Sequence, residues 1–282
     1  MSHWYTKNGK AMHKVPGKTV AERDTTITDA RKMGLLPSVS GITKVWANPG
    51  LERWKQTATI DATLNYCRDD WTGDWATFKG HEDDAFYGEV CARANDGMNA
   101  ASDLGVRIHA AIEASLTGSP WVPSEQVQLS DGRWIEISKL VDPALDRIKE
   151  LGIVAVANEQ IITCLKHGYA GQMDMAYAQK ETIGVLDFKS TKTKPGKKID
   201  VRQGQSMQIA AYHYAYWGAA DKPHFQSNHQ GINLYISTTE IGRVDVVTYD
   251  HAELAKQWEG FLACLTLWRL QNNYDPRTKE VV

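Results

Sequence analysis

Asp174, Asp187 and Lys189 are the side chains of this sequence best suited by type and spacing to do chemistry. Asp174 closes the run GYAGQMD, while Asp187 and Lys189 flank Phe188 in the next run, TIGVLDFKS. On a strand alternate side chains share a face, so Asp187 and Lys189 point one way and Phe188 the other. A hairpin turn near Gln179–Thr182 would bring Asp174 alongside Asp187. Two carboxylates with an ammonium beside them can hold a divalent cation against a phosphodiester. Hard oxygen ligands suit Mg2+, with Mn2+ as its substitute, as one ion or as two held roughly 3.5–4 Å apart. Lys189 would then orient the attacking water or offset charge building on the phosphate. The plainer alternative is a surface hairpin with an ordinary Asp–Lys pair, since D-x-K is a common triplet.

Other residues join this set at helical spacing. His109 and Glu113 are four apart in GVRIHAAIE, so one helix face carries a candidate imidazole ligand and a supporting carboxylate. A packed structural histidine is the competing reading. Gln208 and Tyr212 repeat the spacing in SMQIAAYHY, and their amide and phenol can hydrogen-bond a phosphate or orient Lys189. The loop STKTKPGKKID follows the DFKS strand directly and carries Lys192, Lys194, Lys197 and Lys198, which could track phosphates or simply be a solvated charged loop. Arg53 and Lys55 are weaker candidates for phosphate contact. Trp46, Trp54, Trp71, Trp75 and Trp121 could stack on splayed bases, but packing explains them equally well and none is assigned to the site.

The elements that must position these groups are legible as patterns. Residues 1–36 are polar and show no convincing period. Pro37 and Ser38 start a short helix that Asn48-Pro49 breaks, and a second helix begins near Pro49. Residues 83–117 read as helix, 118–133 as polar loops and 138–151 as helix. From Ile153 the period becomes that of strands: IVAVANEQIITCL, GYAGQMDMAYA and TIGVLDFKS, joined by Gly or short polar turns. A helix over 200–217, strands over 231–239 and 243–250, and a closing amphipathic helix complete the chain. The predicted fold is α/β (α+β): a mixed central sheet flanked by helices, in a restriction-endonuclease-like core with an N-terminal helical lobe. The expected organisation is a polar segment over 1–36, a mostly helical lobe over 37–135 that carries the His109 helix into the core, and a catalytic core over 136–282.

The ordered set G-x-x-x-H-x-x-x-E (Gly105, His109, Glu113), GYAG-x-x-D, DFKS and Q-x-x-x-Y resembles the RecB-like branch of the PD-(D/E)XK nuclease superfamily across residues 105–212. The segment LPSVSGITKVWANPGLERWK is similar to the N-terminal region of phage-type relatives, where it precedes a lobe that helps bind DNA. The resemblance implies His109, Asp174, Asp187 and the Phe188 carbonyl oxygen as metal ligands, Lys189 as the catalytic lysine, and Gln208 and Tyr212 as a supporting pair. Glu159 matches an acidic position on that family's first strand. It further implies an Mg2+-dependent DNA exonuclease of phage or mobile-element type. The partner classes are DNA ends and a recombinase, single-strand-binding protein or helicase supplied by another chain. The iron–sulfur members' cysteine set has no counterpart here, so no cluster is expected.

Composition agrees with an enzyme and argues against a coating protein. The chain has 282 residues, 42% hydrophobic and 23% charged, enough for a sizeable core. A net charge of −2 counts against tight passive coating of DNA but leaves room for a local basic groove. Cys67, Cys91, Cys164 and Cys264 lack the close spacing of a metal site and read as buried free thiols. No run reaches the length of a membrane span, MSHWYTKNGKAMHK lacks a signal-peptide core, and the expected compartment is the cytoplasm. No ATP-binding motif G-x-x-x-x-G-K-[ST] occurs, so any motor belongs to another chain. Two other functions fit these residues: an endonuclease cutting internally or at branched structures, and a catalytically silent DNA-binding or assembly module.

Overall fold

The computed structural model describes residues 3–17, 21–46, 49–69, 83–129, 131–202, 204–218 and 225–278. The first half of the chain runs β1 (Trp4–Tyr5), β2 (Lys14–Pro16), β3 (Glu22–Asp24), α1 (Ile27–Met33), β4 (Leu36–Pro37), α2 (Val39–Thr43), α3 (Pro49–Asp69) and α4 (Asp83–Thr117). After β5 (Gln126–Gln128), β6 (Trp134–Glu136) and α5 (Ser138–Glu150) come β7 (Val154–Cys164), β8 (Tyr169–Gln179) and β9 (Thr182–Thr191). The chain closes with α6 (Gln205–Trp217), β10 (His229–Ser237), β11 (Val244–Tyr249) and α7 (His251–Asn272).

Five strands form the central sheet in the order β11-β10-β9-β8-β7. β7, β8 and β9 are antiparallel neighbours, because short turns join them. β9 and β10 are parallel, which requires the crossover that α6 supplies. The mixed sheet flanked by helices agrees with the fold class read from the sequence. One face packs on α6, α7 and the N-terminal elements through Val185, Ile209, Leu254, Phe261 and Leu265. The other packs on α4 and α5 through Leu186, Phe188, Leu234, Ile108, Ile112 and Leu140. Residues 185 and 186 thus face opposite layers, as strand alternation demands.

Three local readings differ from the pattern analysis. The first concerns residues 1–36, which are not a featureless polar segment. Trp4, Tyr5, Leu35 and Leu36 are buried, and Trp4 meets the edge of Trp268 with ring centroids 6.0 Å apart. Tyr274 caps this corner by donating its hydroxyl to the Ala30 and Leu35 carbonyls at 3.0 and 2.7 Å. Strands of two or three residues are too short to show a period. The second difference is the start of α6, five residues later than the pattern suggests. Gly204 sits at φ +92°, outside the right-handed helical region, and so stops the helix on its N-terminal side. The third lies within 118–133, where β5 begins a small hairpin with β6. The turn Lys180–Glu181 between β8 and β9 is where the sequence places it, with Lys180 at φ +54°.

Cys164 and Cys264 are buried as expected, whereas Cys91 is exposed and Cys67 half-buried. α3 and the first half of α4 pack mainly on each other, so each leaves one side to solvent. Trp71 and Trp75 lie outside the described residues, and only the backbone of Trp54 is described. Among the described residues, no helix is long and apolar enough to cross a membrane.

Two outcomes follow for stability. Trp4→Ala should lower the unfolding free energy by about 3–5 kcal/mol, measured by denaturant titration, because it empties a buried aromatic site. Burial, followed by the neighbouring His229, pushes the imidazole of His213 down to about 3. The unfolded chain therefore binds the extra proton between about pH 6.5 and pH 3, and stability falls as pH drops through that window. His213→Phe should flatten the dependence of the denaturant midpoint on pH between 7 and 4, and an unchanged slope would exclude this histidine as its source.

Candidate metal centre

β8 and β9 pair only from Gln179↔Thr182 to Met175↔Leu186, and then part. Beyond that point β8 is flanked by β4 and the residue after it, with a parallel bridge between Ser38 and Ala170. The opening between the strands is where the candidate residues meet. The Asp174 carboxylate reaches across it, and Oδ2 accepts the Phe188 N–H at 2.8 Å. In a strand the N–H and C=O of one residue face the same neighbour, so the Phe188 carbonyl points into this opening too.

Groups from both layers converge here. From α4, His109 places Nδ1 3.4 Å from Asp174 Oδ2 and 3.9 Å from a Glu159 oxygen. The His109 ring also meets the Phe188 ring edge-on, with centroids 5.8 Å apart. From β7, Glu159 lies opposite Asp174, between the register pairs Asn158↔Met175 and Gln160↔Met173. His109, Glu159 and Asp174 each offer one ligand atom, and these atoms all lie within 4.8 Å of one another. Asp187, 2% exposed at its side chain, turns instead toward Lys189, whose ammonium it pairs with through Oδ2. The structure thus draws Glu159 into the cluster as a full member, while Asp187 and Lys189 stand beside it on β9. Glu113 lies one turn beyond His109, and its charge acts on Glu159.

The protonation states reflect this crowding. Burial first, and then the Asp174 charge, push the Glu159 carboxyl up to about 7. Burial raises Asp187 to about 6, with Asp174 adding and Lys189 opposing. Burial also acts on Asp174, but its hydrogen bond with His109, the nearby cations and the Phe188 N–H outweigh it and hold the carboxyl below its ordinary value. For His109 and Lys189 burial favours the neutral form, yet the facing carboxylates prevail and both are raised. Glu159 also occupies a backbone conformation rare for a residue with a side chain, φ +45°. Such strain gathers at functional sites because the surroundings must impose it.

On the α6 side, Gln208 Nε2 donates to the Tyr212 hydroxyl at 3.1 Å. Burial, with the Asp187 and Asp174 charges adding, raises the Tyr212 phenol well above its ordinary range, so it remains a neutral hydroxyl. Tyr212 lies over Gly171 so closely that a β-carbon there would come 2.7 Å from its ring. The second glycine of GYAG is therefore the seat of the tyrosine.

Three polar residues at the site were missed by the sequence reading. Asn233 donates to Asp187 Oδ2 at 2.9 Å, Tyr249 donates to Asn233 Oδ1 at 2.9 Å, and Gln172 donates to Glu159 at 2.7 Å. A lone asparagine within the apolar run GINLYIS was the available signal, since a buried polar group needs a partner.

Lys192, Lys194, Lys197 and Lys198 are all exposed. Their loop is nonetheless fixed at the backbone: Arg243 donates to the Lys194 and Lys197 carbonyls at 3.2 and 2.7 Å, and the Thr193 N–H bonds Thr239 Oγ1 at 2.9 Å. Arg53 and Lys55 are exposed on α3, with Lys55 paired to Glu52 at 2.9 Å. Among the described residues, neither makes a hydrogen bond or ion pair to the cluster.

No family model and no curated protein matches the chain. A solved structure described as "Crystal structure of SSO0001" aligns over 42% of this chain and 54% of its own, with 16% identity and a TM-score of 0.22. The match thus spans about half of that protein, and at this score it carries no argument about fold or function.

Gly171→Ala should cost about 1–3 kcal/mol in a denaturant titration, by forcing the Tyr212 ring off its seat. The cost should vanish in a Tyr212→Ala background, where the space is free. An equal cost in both backgrounds would show that the tyrosine is not what requires the glycine.

Proposed function

We propose that this chain is a cytoplasmic, Mg2+-dependent nuclease that hydrolyses DNA from its ends, with Mn2+ able to replace Mg2+. The observation that carries the reading is the convergence of His109, Glu159, Asp174, Asp187 and Lys189 on one opening in the sheet. The order of these residues along the chain, which resembles the RecB-like nucleases, is its second support and the source of the preference for ends.

The donor set fits a hard divalent cation. Oδ2 of Asp174 accepts the Phe188 N–H, and Oδ2 of Asp187 accepts from Asn233 and pairs with Lys189, so both carboxylates are held in fixed orientations. Carboxylate oxygens, a neutral imidazole and a backbone carbonyl are ligands that Mg2+ and Mn2+ accept. His109, Glu159 and Asp174 would hold the ion, with Asp187 and the Phe188 carbonyl completing the set from β9. When bound, such an ion polarises the phosphate and makes a coordinated water a better nucleophile.

The remaining chemistry belongs to side chains. Lys189 stays charged because Asp187 and Asp174 face it, so its ammonium is available to the charge that grows on the phosphate oxygens. The Gln208–Tyr212 pair presents a neutral amide and hydroxyl on the α6 side, suited to orienting the lysine or a phosphate oxygen. The four lysines of the loop after β9 offer cations a few residues from Lys189, on a backbone that Arg243 keeps in place. Phosphate contacts of this kind position a strand without reading its sequence.

The purified chain should degrade end-labelled linear DNA with Mg2+ and leave covalently closed circular DNA intact. Asp187→Ala should abolish this, and Lys189→Ala should slow it by about 10²–10³-fold, with circular dichroism unchanged. Native-level cleavage in either variant would sink the mechanism. Cutting of the circle would instead identify an endonuclease, and DNA binding without cleavage under either metal would identify a silent module.

A further inference from the structure

Asn233 is fully buried in the middle of β10, between Ile232 and Leu234, and its register partner on β9 is Asp187. The two side chains lie side by side on the α6 face of the sheet. A buried amide is costly without hydrogen bonds, and an apolar residue would fill this position with no partner at all. The amide's orientation is set from behind. Tyr249, on β11, donates its hydroxyl to Oδ1 at 2.9 Å, which leaves the NH2 end to face Asp187 and donate to Oδ2 at 2.9 Å. The reverse orientation would set the amide oxygen against a carboxylate.

Oδ2 of Asp187 therefore receives two donors, the Asn233 amide and the Lys189 ammonium. We propose that Asn233, aligned by Tyr249, is a positioning residue that fixes the Asp187 carboxylate in the orientation it presents to the divalent cation. This rests on the metal-centre reading above and adds to it a buried path, Tyr249–Asn233–Asp187, that joins the far edge of the sheet to the ion. Replacing a partner that orients a metal ligand from behind typically costs about 10–100-fold in metal affinity.

The test is Mn2+ binding to the full-length chain, followed by loss of the free-ion signal in electron paramagnetic resonance, for the native protein, Asn233→Leu and Tyr249→Phe. Asn233→Leu keeps the number and branching of the side-chain heavy atoms and removes both hydrogen bonds, and Mn2+ affinity should fall by about 10–100-fold. Tyr249→Phe removes one oxygen and frees the amide to rotate; it should weaken binding in the same direction and to a smaller extent. It also carries the test if Asn233→Leu does not fold. On linear DNA, both variants should need more Mg2+ than the native protein for half-maximal cleavage, Asn233→Leu by about 10–100-fold, and recover activity as Mg2+ is raised, a shift that a smaller folded fraction would not produce. Native protein that binds Mn2+ while the folded variants bind it within twofold of native would overturn the positioning role alone. Native protein that binds no Mn2+ would overturn the metal-centre reading, and this proposal with it.

Discussion

The hydrogen bond from the Phe188 N–H to the Asp174 carboxylate is the contact on which the rest of the site depends. Where β8 and β9 part, the sheet leaves backbone groups of β9 without a strand to pair with, and a buried N–H cannot remain unsatisfied without cost. A carboxylate supplies the missing acceptor and, in doing so, becomes fixed in the opening. The same opening admits His109 from the α4 side and gives Tyr212 its seat on the α6 side. A fully paired sheet would separate those two layers. By parting, it lets residues from opposite faces approach one point.

Electrostatics then explains why so many polar groups tolerate this crowding. Two cations, Lys189 and the readily protonated His109, offset the carboxylates they face, and Asp174 is the group that benefits most. Asp187 and Glu159 are left with carboxyls raised to about 6 and about 7, because burial and mutual repulsion are only partly compensated. An excess of acid groups over cations at one buried point is a standing attraction for a further cation. The left-handed backbone of Glu159 adds a local cost that the surrounding strands impose.

The supporting structure is spread along the whole chain. The N-terminal residues bury Trp4 and Tyr5 and bring β4 alongside the half of β8 that β9 has left. The turn after β10 and Arg243 at the start of β11 hold the lysine loop through backbone hydrogen bonds, so its charges stand on an ordered frame. Neither support involves a chemically reactive group, and each determines where reactive groups lie.

Much of this was legible before any coordinates. Strand and helix periods located α4, α5, all five strands of the central sheet and α7, and short turns implied antiparallel pairing within a mixed sheet, while the parallel pairing of β9 with β10 emerged only in the structure. Side-chain alternation placed Asp187 with Lys189 and set Phe188 apart. These features follow from neighbours in sequence, whose relative directions the backbone repeat dictates. The membership of Glu159, the Asn233–Tyr249 path, the burial of Trp4 and the role of Gly171 as a seat could not be obtained this way. Each depends on how two elements distant in the chain are registered or how closely they pack, and no local repeat encodes that distance. The sequence by itself determined which groups were capable of chemistry and which element carried each. Only the tertiary structure, by parting two strands and packing helices on both faces, decided which of those groups share one site.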